Sequence, residues 1–185
     1  LEPLCEGRGA KLRWFRHPML NTGPDRETKA AFEDWLAQRG WRVAPVTFDN
    51  DEYVFDRAHD PARERGEMDL QRRLATGYLR YMESVADHYE ELSRRLLGHE
   101  PAQVLLLHAN WLNAEHLDGL VAMLHGRGCR FVPLEEALAD TAYQLPDAFI
   151  GKRGISWLER WAITRGIDPG PMPAALPWVR QAAGL

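Results

Sequence analysis

Residues 102–108 read AQVLLLH. Four apolar residues in a row, bounded by Pro101 and by His108-Ala109-Asn110, have the character of a strand buried on both faces. Strands of that kind belong to parallel sheets. The flanking segments agree. From Glu67 to Leu97, apolar residues fall at Leu70, Leu74, Tyr78, Tyr81, Val85, Tyr89, Leu92 and Leu96. On a polar background this is one long helical stripe, about 45 Å at 1.5 Å per residue, closed by Gly98. After the strand, NAEHLDGLVAMLHGRG (113–128) predicts a second helix, with Asn113 as its cap and Leu117, Leu120, Val121 and Leu124 facing inward.

Working outward, Leu12–Arg16 is a first strand. A helix follows over NTGPDRETKAAFEDWLAQRG. Pro24 suits a first helical position, Asp25 and Glu27 suit the positive end of the helix dipole, and Gly40 ends the run. WRVAPVTF (41–48) is a second strand and runs into an acidic loop, DNDEYVFDRAHDPARERGE (49–67). CRFV (129–132) reads as a fourth strand and PLEEALAD as a short helix. LAQRGWRVAP (36–45) and LHGRGCRFVP (124–133) match at Leu, Arg, Gly, Arg and Pro, so one helix-to-strand joint is built twice. Strands separated by such helices need parallel crossovers. The expected fold is therefore α/β in one domain over 1–185. Residues 141–185 form a helical and Pro-rich extension that includes the helix ISWLERWAIT.

Composition narrows the function. The chain has 185 residues, 45% hydrophobic and 27% charged, with net charge −4 and no polybasic block. This is ordinary globular composition, without the electrostatic footprint of nucleic-acid or membrane-surface binding. No apolar run approaches a bilayer span. Cys5 and Cys129 make no disulfide framework and no metal-like spacing, and a single bridge between them stays open. No signal-peptide pattern is visible, and the opening LEPLCEGRGAKLRWF reads like the middle of a domain. There is no Gly-x-Ser-x-Gly elbow and no Gly-x-Gly-x-x-Gly loop.

In parallel α/β sheets, ligands sit at the carboxyl ends of the strands. Three strand ends here carry chemistry: Arg16-His17-Pro18, Asp49-Asn50-Asp51-Glu52-Tyr53, and His108-Ala109-Asn110. Each residue has a plainer role. Arg16 can lay its stem on the rim, His108 can be a hydrogen-bonded core histidine, Asp49 and Glu52 can be turn acids, and His17 can be structural. A shared rim is what gives them joint meaning.

FRHPMLNTG (15–23), DNDEY (49–53) and LLLH (105–108), the last followed by RGCRFVPLEEAL, resemble the Arg-x-Pro, Asp-x-x-Asp-Trp and Leu-x-His motifs of the polysaccharide deacetylase family, over roughly residues 12–138. The resemblance implies a distorted, incomplete parallel-stranded (β/α) barrel, here without its N-terminal strands. The implied activity is metal-dependent hydrolysis of the acetamide C–N bond of N-acetylated sugars, or of a small amide. By resemblance His108 is the general acid, and Arg16 holds a buried catalytic carboxylate. Leu106 lines the acetyl site; Pro18 and Met19 of the Arg-x-Pro stretch, and Tyr53 where the family has Trp, are the other implied substrate-binding residues. Glu52 stands where the family has the acid that orients the histidine, with Asp49 or Asp51 as the alternative. The family's ion, usually zinc, needs about three protein ligands. No two of the seven histidines are four apart, so the ligands are expected from a segment not in this chain. The alternative is a catalytically silent carbohydrate-binding or interaction domain of the same fold. Only the resemblance suggests a compartment, outside the cytoplasm.

Overall fold

The computed structural model describes residues 7–9 and 11–185. Cys5 and most of the opening segment lie outside the described residues. The expected parallel barrel is absent: the described residues are 54% helix and 3% strand, and among them there is a single two-stranded sheet.

The long helix, α3, is the axis of the core. To introduce the helices in chain order, α1 is Arg26–Gln38, α2 is Glu52–Glu64, α3 is Met68–Leu97 and α4 is Trp111–Gly126. The shorter α5, α6 and α7 are Leu134–Ala137, Trp157–Thr164 and Pro177–Ala182. From Leu74 to Leu96 every residue of the predicted α3 stripe is buried, and Leu70 is half-buried. Helices α2, α4 and α6 pack on α3, α2 also packs on α4, and α7 closes over α2. The tail is thus part of the core: Leu158, Trp161, Ala162 and Val179 are all buried.

Helix α2 replaces the expected acidic loop. Its buried residues, Val54, Phe55, Ala58, His59 and Ala62, recur at helical spacing. Of the charged residues between them, Arg57 is exposed and Asp56 and Asp60 are half-buried, and even Pro61 is carried inside the helix.

Strands β1 (Trp14–Phe15) and β2 (Arg42–Val43) pair in parallel, with Trp14 opposite Arg42 and Phe15 opposite Val43. Pro45 then has no N–H to give the ladder. The run after it turns to a different neighbour. Thr47 and Phe48 both donate to the Val104 carbonyl, each at 3.1 Å, and Leu106 donates to the Phe48 carbonyl at 3.1 Å. One parallel bridge, Phe48 to Leu105, results.

The remaining backbone groups here are satisfied from outside any ladder. Thr47 Oγ1 accepts from Val104 N–H at 2.7 Å, and Asn50 Nδ2 donates to the Leu106 carbonyl at 2.8 Å. Ser156 Oγ donates to the Thr47 carbonyl at 2.7 Å, and Trp157 N–H donates to the Val46 carbonyl at 2.8 Å. Backbone groups must be paired. Here side chains and the start of α6 supply partners that a barrel would take from the next strand. Residues 129–132 form no strand.

The repeated joint is real as far as its turn. Gly40 and Gly128 are both left-handed, at φ 70° and 84°. Trp41 and Cys129 N–H reach back to the carbonyls of buried Leu36 and Leu124, each at 3.0 Å. Only the first copy continues into a strand.

Candidate functional site

The first turn of α2 and the entry to α4 face each other, and Glu52 lies between them with no exposure to solvent. Its N–H is tied to Asn50 Oδ1 at 3.0 Å. Oε1 accepts from Asn113 Nδ2 at 2.6 Å, from Asn110 Nδ2 at 2.8 Å and from the His108 N–H at 3.2 Å. Oε2 lies 3.2 Å from Nδ1 of His108.

Asn113 is itself fixed. Its Oδ1 accepts from the Tyr78 hydroxyl at 2.7 Å, and its Nδ2 also donates to the His108 carbonyl at 2.9 Å. Burial pushes the Tyr78 phenol up, and the Glu52 charge adds to the effect. Tyr78 therefore stays a neutral donor. A buried carboxylate is costly unless it is hydrogen-bonded. Four groups from two elements meet that need for Glu52.

The imidazole of His108 is the accessible end of this network. Its side chain is 46% exposed while its partner carboxylate is fully buried. With Nδ1 turned to Glu52, Nε2 faces the opposite way. A carboxylate on one ring nitrogen fixes the orientation of the ring and leaves the other nitrogen free to exchange a proton. This arrangement suits proton transfer.

Of the three acids considered for orienting His108, Glu52 makes the contact. Asp49 instead accepts the Asn50 N–H at 2.9 Å. Burial pushes Asp49 up to about 6, against the pull of that bond and of the His108 charge. Asp51 precedes α2, and its N–H donates to the Tyr81 hydroxyl at 2.7 Å.

The other predicted residues divide. Arg16 is exposed, and its NH1 reaches the Leu107 carbonyl at 3.4 Å. No buried anion pairs with it among the described residues, because the inner carboxylate, Glu52, is already held by asparagines and a backbone N–H. Leu106 is packed into the core instead of lining an open site. Pro18 opens a single 3-10 turn, Pro18–Leu20. Met19 on that turn is 91% exposed, and Tyr53 is half-exposed. His17 is buried against the rings of Phe15, Phe32 and Trp157, away from solvent.

Comparison with known proteins finds no matching family model, no similar curated protein and no similar solved structure.

The scaffold of the dyad was partly misread in the sequence. Asn113 is not the helix cap. Asn110 is, accepting the Asn113 N–H at 2.8 Å, and this frees the Asn113 side chain to hold Glu52. The Asn-x-x-Asn spacing was the available signal. The divalent ion implied by the resemblance has no fitting ligand set at His108. Among the described residues, no group of three His, Cys, Asp or Glu ligand atoms gathers there, and both oxygens of Glu52 already face donors. No step through an ion is drawn at this site.

Proposed function

We propose that His108 and Glu52 are the proton-transfer pair of an amide C–N hydrolase acting on N-acetylated sugars, the reaction implied by the three sequence motifs. One observation carries the reading: a fully buried carboxylate 3.2 Å from Nδ1 of a half-exposed imidazole. In this reaction water adds to the acetamide carbonyl and the C–N bond breaks. Acetate and a free amine leave, and His108 Nε2 delivers the proton that the departing nitrogen needs. Asp49, a partly buried acid at the end of the same segment as Glu52, is assigned the proton of the attacking water.

The test is acetate release from N-acetylglucosamine oligomers. Release by the wild-type chain, with a loss of about 10²–10⁴-fold in His108→Ala and a parallel loss in Glu52→Gln, is the expected result. A fully active His108→Ala variant would overturn the assignment. The missing ligand set at His108 favours a second reading, a sugar-binding domain without turnover. Its signature is calorimetric binding of the same oligomers with no acetate formed.

A further inference from the structure

Two helical turns beyond Glu52 on α2, His59 is fully buried, and neither ring nitrogen has a hydrogen-bond partner. A buried, unsatisfied imidazole is costly and calls for an explanation. It faces α4, where Glu115 is exposed and His116 is half-buried. One ligand atom from each of the three residues lies within 4.8 Å of the other two.

The spacing inside this group is informative. His59 Nε2 is 3.4 Å from Glu115 Oε2, yet the pair does not make a hydrogen bond. Nitrogen and oxygen donors bound to one tetrahedral zinc at about 2.0–2.1 Å stand roughly 3.3 Å apart. The rings of His59 and His116 meet nearly edge-on, with centroids 5.7 Å apart and an interplanar angle of 84°. Rings in that relation do not stack, and a nitrogen of each lies within 4.8 Å of the other and of the carboxylate.

We propose that His59, Glu115 and His116 form a binding site for a divalent transition-metal ion of the zinc class. Two imidazoles and one carboxylate are a recurrent zinc ligand set. The exposed carboxylate gives the ion a route in from solvent and leaves its remaining position to water. The ion clips α2 to α4, the two helices that also carry Glu52 and Asn113. At 1.5 Å per residue, His59 is about 10 Å along α2 from Glu52, so the ion sits beside the His108–Glu52 network and outside it. The site does not depend on the proposed hydrolase activity.

The experiment uses the whole chain, freed of metal by chelation and dialysis. Zinc is titrated by calorimetry, and cobalt(II) is followed by its visible d–d absorption. Binding of one ion per chain, a tetrahedral cobalt spectrum and a higher Tm with zinc are expected. Glu115→Gln and His116→Gln change side chains at least partly open to solvent, so folding survives. Each should weaken binding by on the order of 100-fold or more, since even outer partners of a metal ligand are worth about 10–100-fold. His108→Ala should leave binding unchanged. Stoichiometric binding that ignores Glu115→Gln and His116→Gln, or no binding by the folded wild-type chain, would overturn the proposal.

Discussion

Replacing Glu159 by Gln should remove a specific pH dependence of stability. Glu159 is nearly buried in the first turn of α6. Its Oε2 accepts the Ser156 N–H at 2.8 Å, and Ser156 caps the helix in return, its Oγ accepting from Leu158 N–H at 3.2 Å. Burial, with the Asp49 charge nearby, pushes the carboxyl from 4.5 up to about 7, although the Ser156 bond pulls the other way. Because the folded value is the higher one, the native state holds this proton more tightly than the unfolded chain does. The stability it contributes is fully present below about pH 4.5 and is lost as pH rises toward about 7. Each tenfold change in proton affinity is worth about 1.4 kcal/mol. The interval from 4.5 to about 7 therefore amounts to about 3 kcal/mol at pH 8.

A neutral Gln keeps an oxygen for the Ser156 N–H and cannot ionise. Wild type and Glu159→Gln should match near pH 4, and the variant should gain up to about 3 kcal/mol by pH 8. At about 2–4 °C per kcal/mol for a chain of this size, the gain is about 6–12 °C in Tm. Urea unfolding followed by tryptophan fluorescence between pH 4 and 8 measures it. The Asp49 carboxyl, pushed up to about 6 from 3.8, adds its own fall between those values in both proteins. Parallel stability curves for the two, or a variant weaker at pH 8, would refute the reasoning.

Asp147 receives Lys29 and the fully buried Arg160, each at 2.7 Å. Burial alone would push its carboxyl up, but the bonds from Arg160 and Lys29 outweigh that and hold it below the usual value. Asp147→Ala strands a buried guanidinium and should cost about 3–5 kcal/mol in chemical denaturation. Gly154 lies against the backbone of Met19 and Leu20, where a Cβ would collide with main-chain atoms. Gly154→Ala should destabilise by about 1–3 kcal/mol or more, whereas Gly126→Ala, in open space, should not. Asn113→Ala removes a donor to Glu52 and the acceptor of the Tyr78 hydroxyl. It should cost about 1–3 kcal/mol and lower any turnover dependent on His108, with calorimetry and acetate release as the readouts.

Helices with a one-sided apolar stripe were legible in the sequence, and α3 is the clearest case. Its stripe from Leu74 to Leu96 is buried without exception. Helix α2 carries the same signal over Val54–Ala62, but two features obscured it: charged residues fill the positions between, and Pro61 argues for a break. The strands failed for a different reason. A short apolar run has no period that distinguishes a paired strand from a buried extended segment. In AQVLLLH only Leu105 enters a bridge. What the segment pairs with is decided by Thr47 and Asn50, whose side chains satisfy the backbone of Val104 and Leu106, far away in sequence. No local pattern announces such partners.

Of the expected site residues, His108 and Glu52 meet without a barrel, because their contact depends on adjacency more than on sheet architecture. A parallel barrel was expected to bring the ends of segments 41–48 and 102–108 to one rim. The single bridge from Phe48 to Leu105 does the same for these two segments. Four residues after Phe48 the chain reaches Glu52, and three after Leu105 it reaches His108. The two meet across 3.2 Å. Arg16 depended on the first strand being laid against the same pair. Strand β1 pairs instead with Arg42–Val43, upstream of Pro45, and Arg16 reaches only the Leu107 carbonyl. The dyad thus needs one bridge and two asparagines, while an arginine clamp would need a continuous sheet that Pro45 prevents from forming.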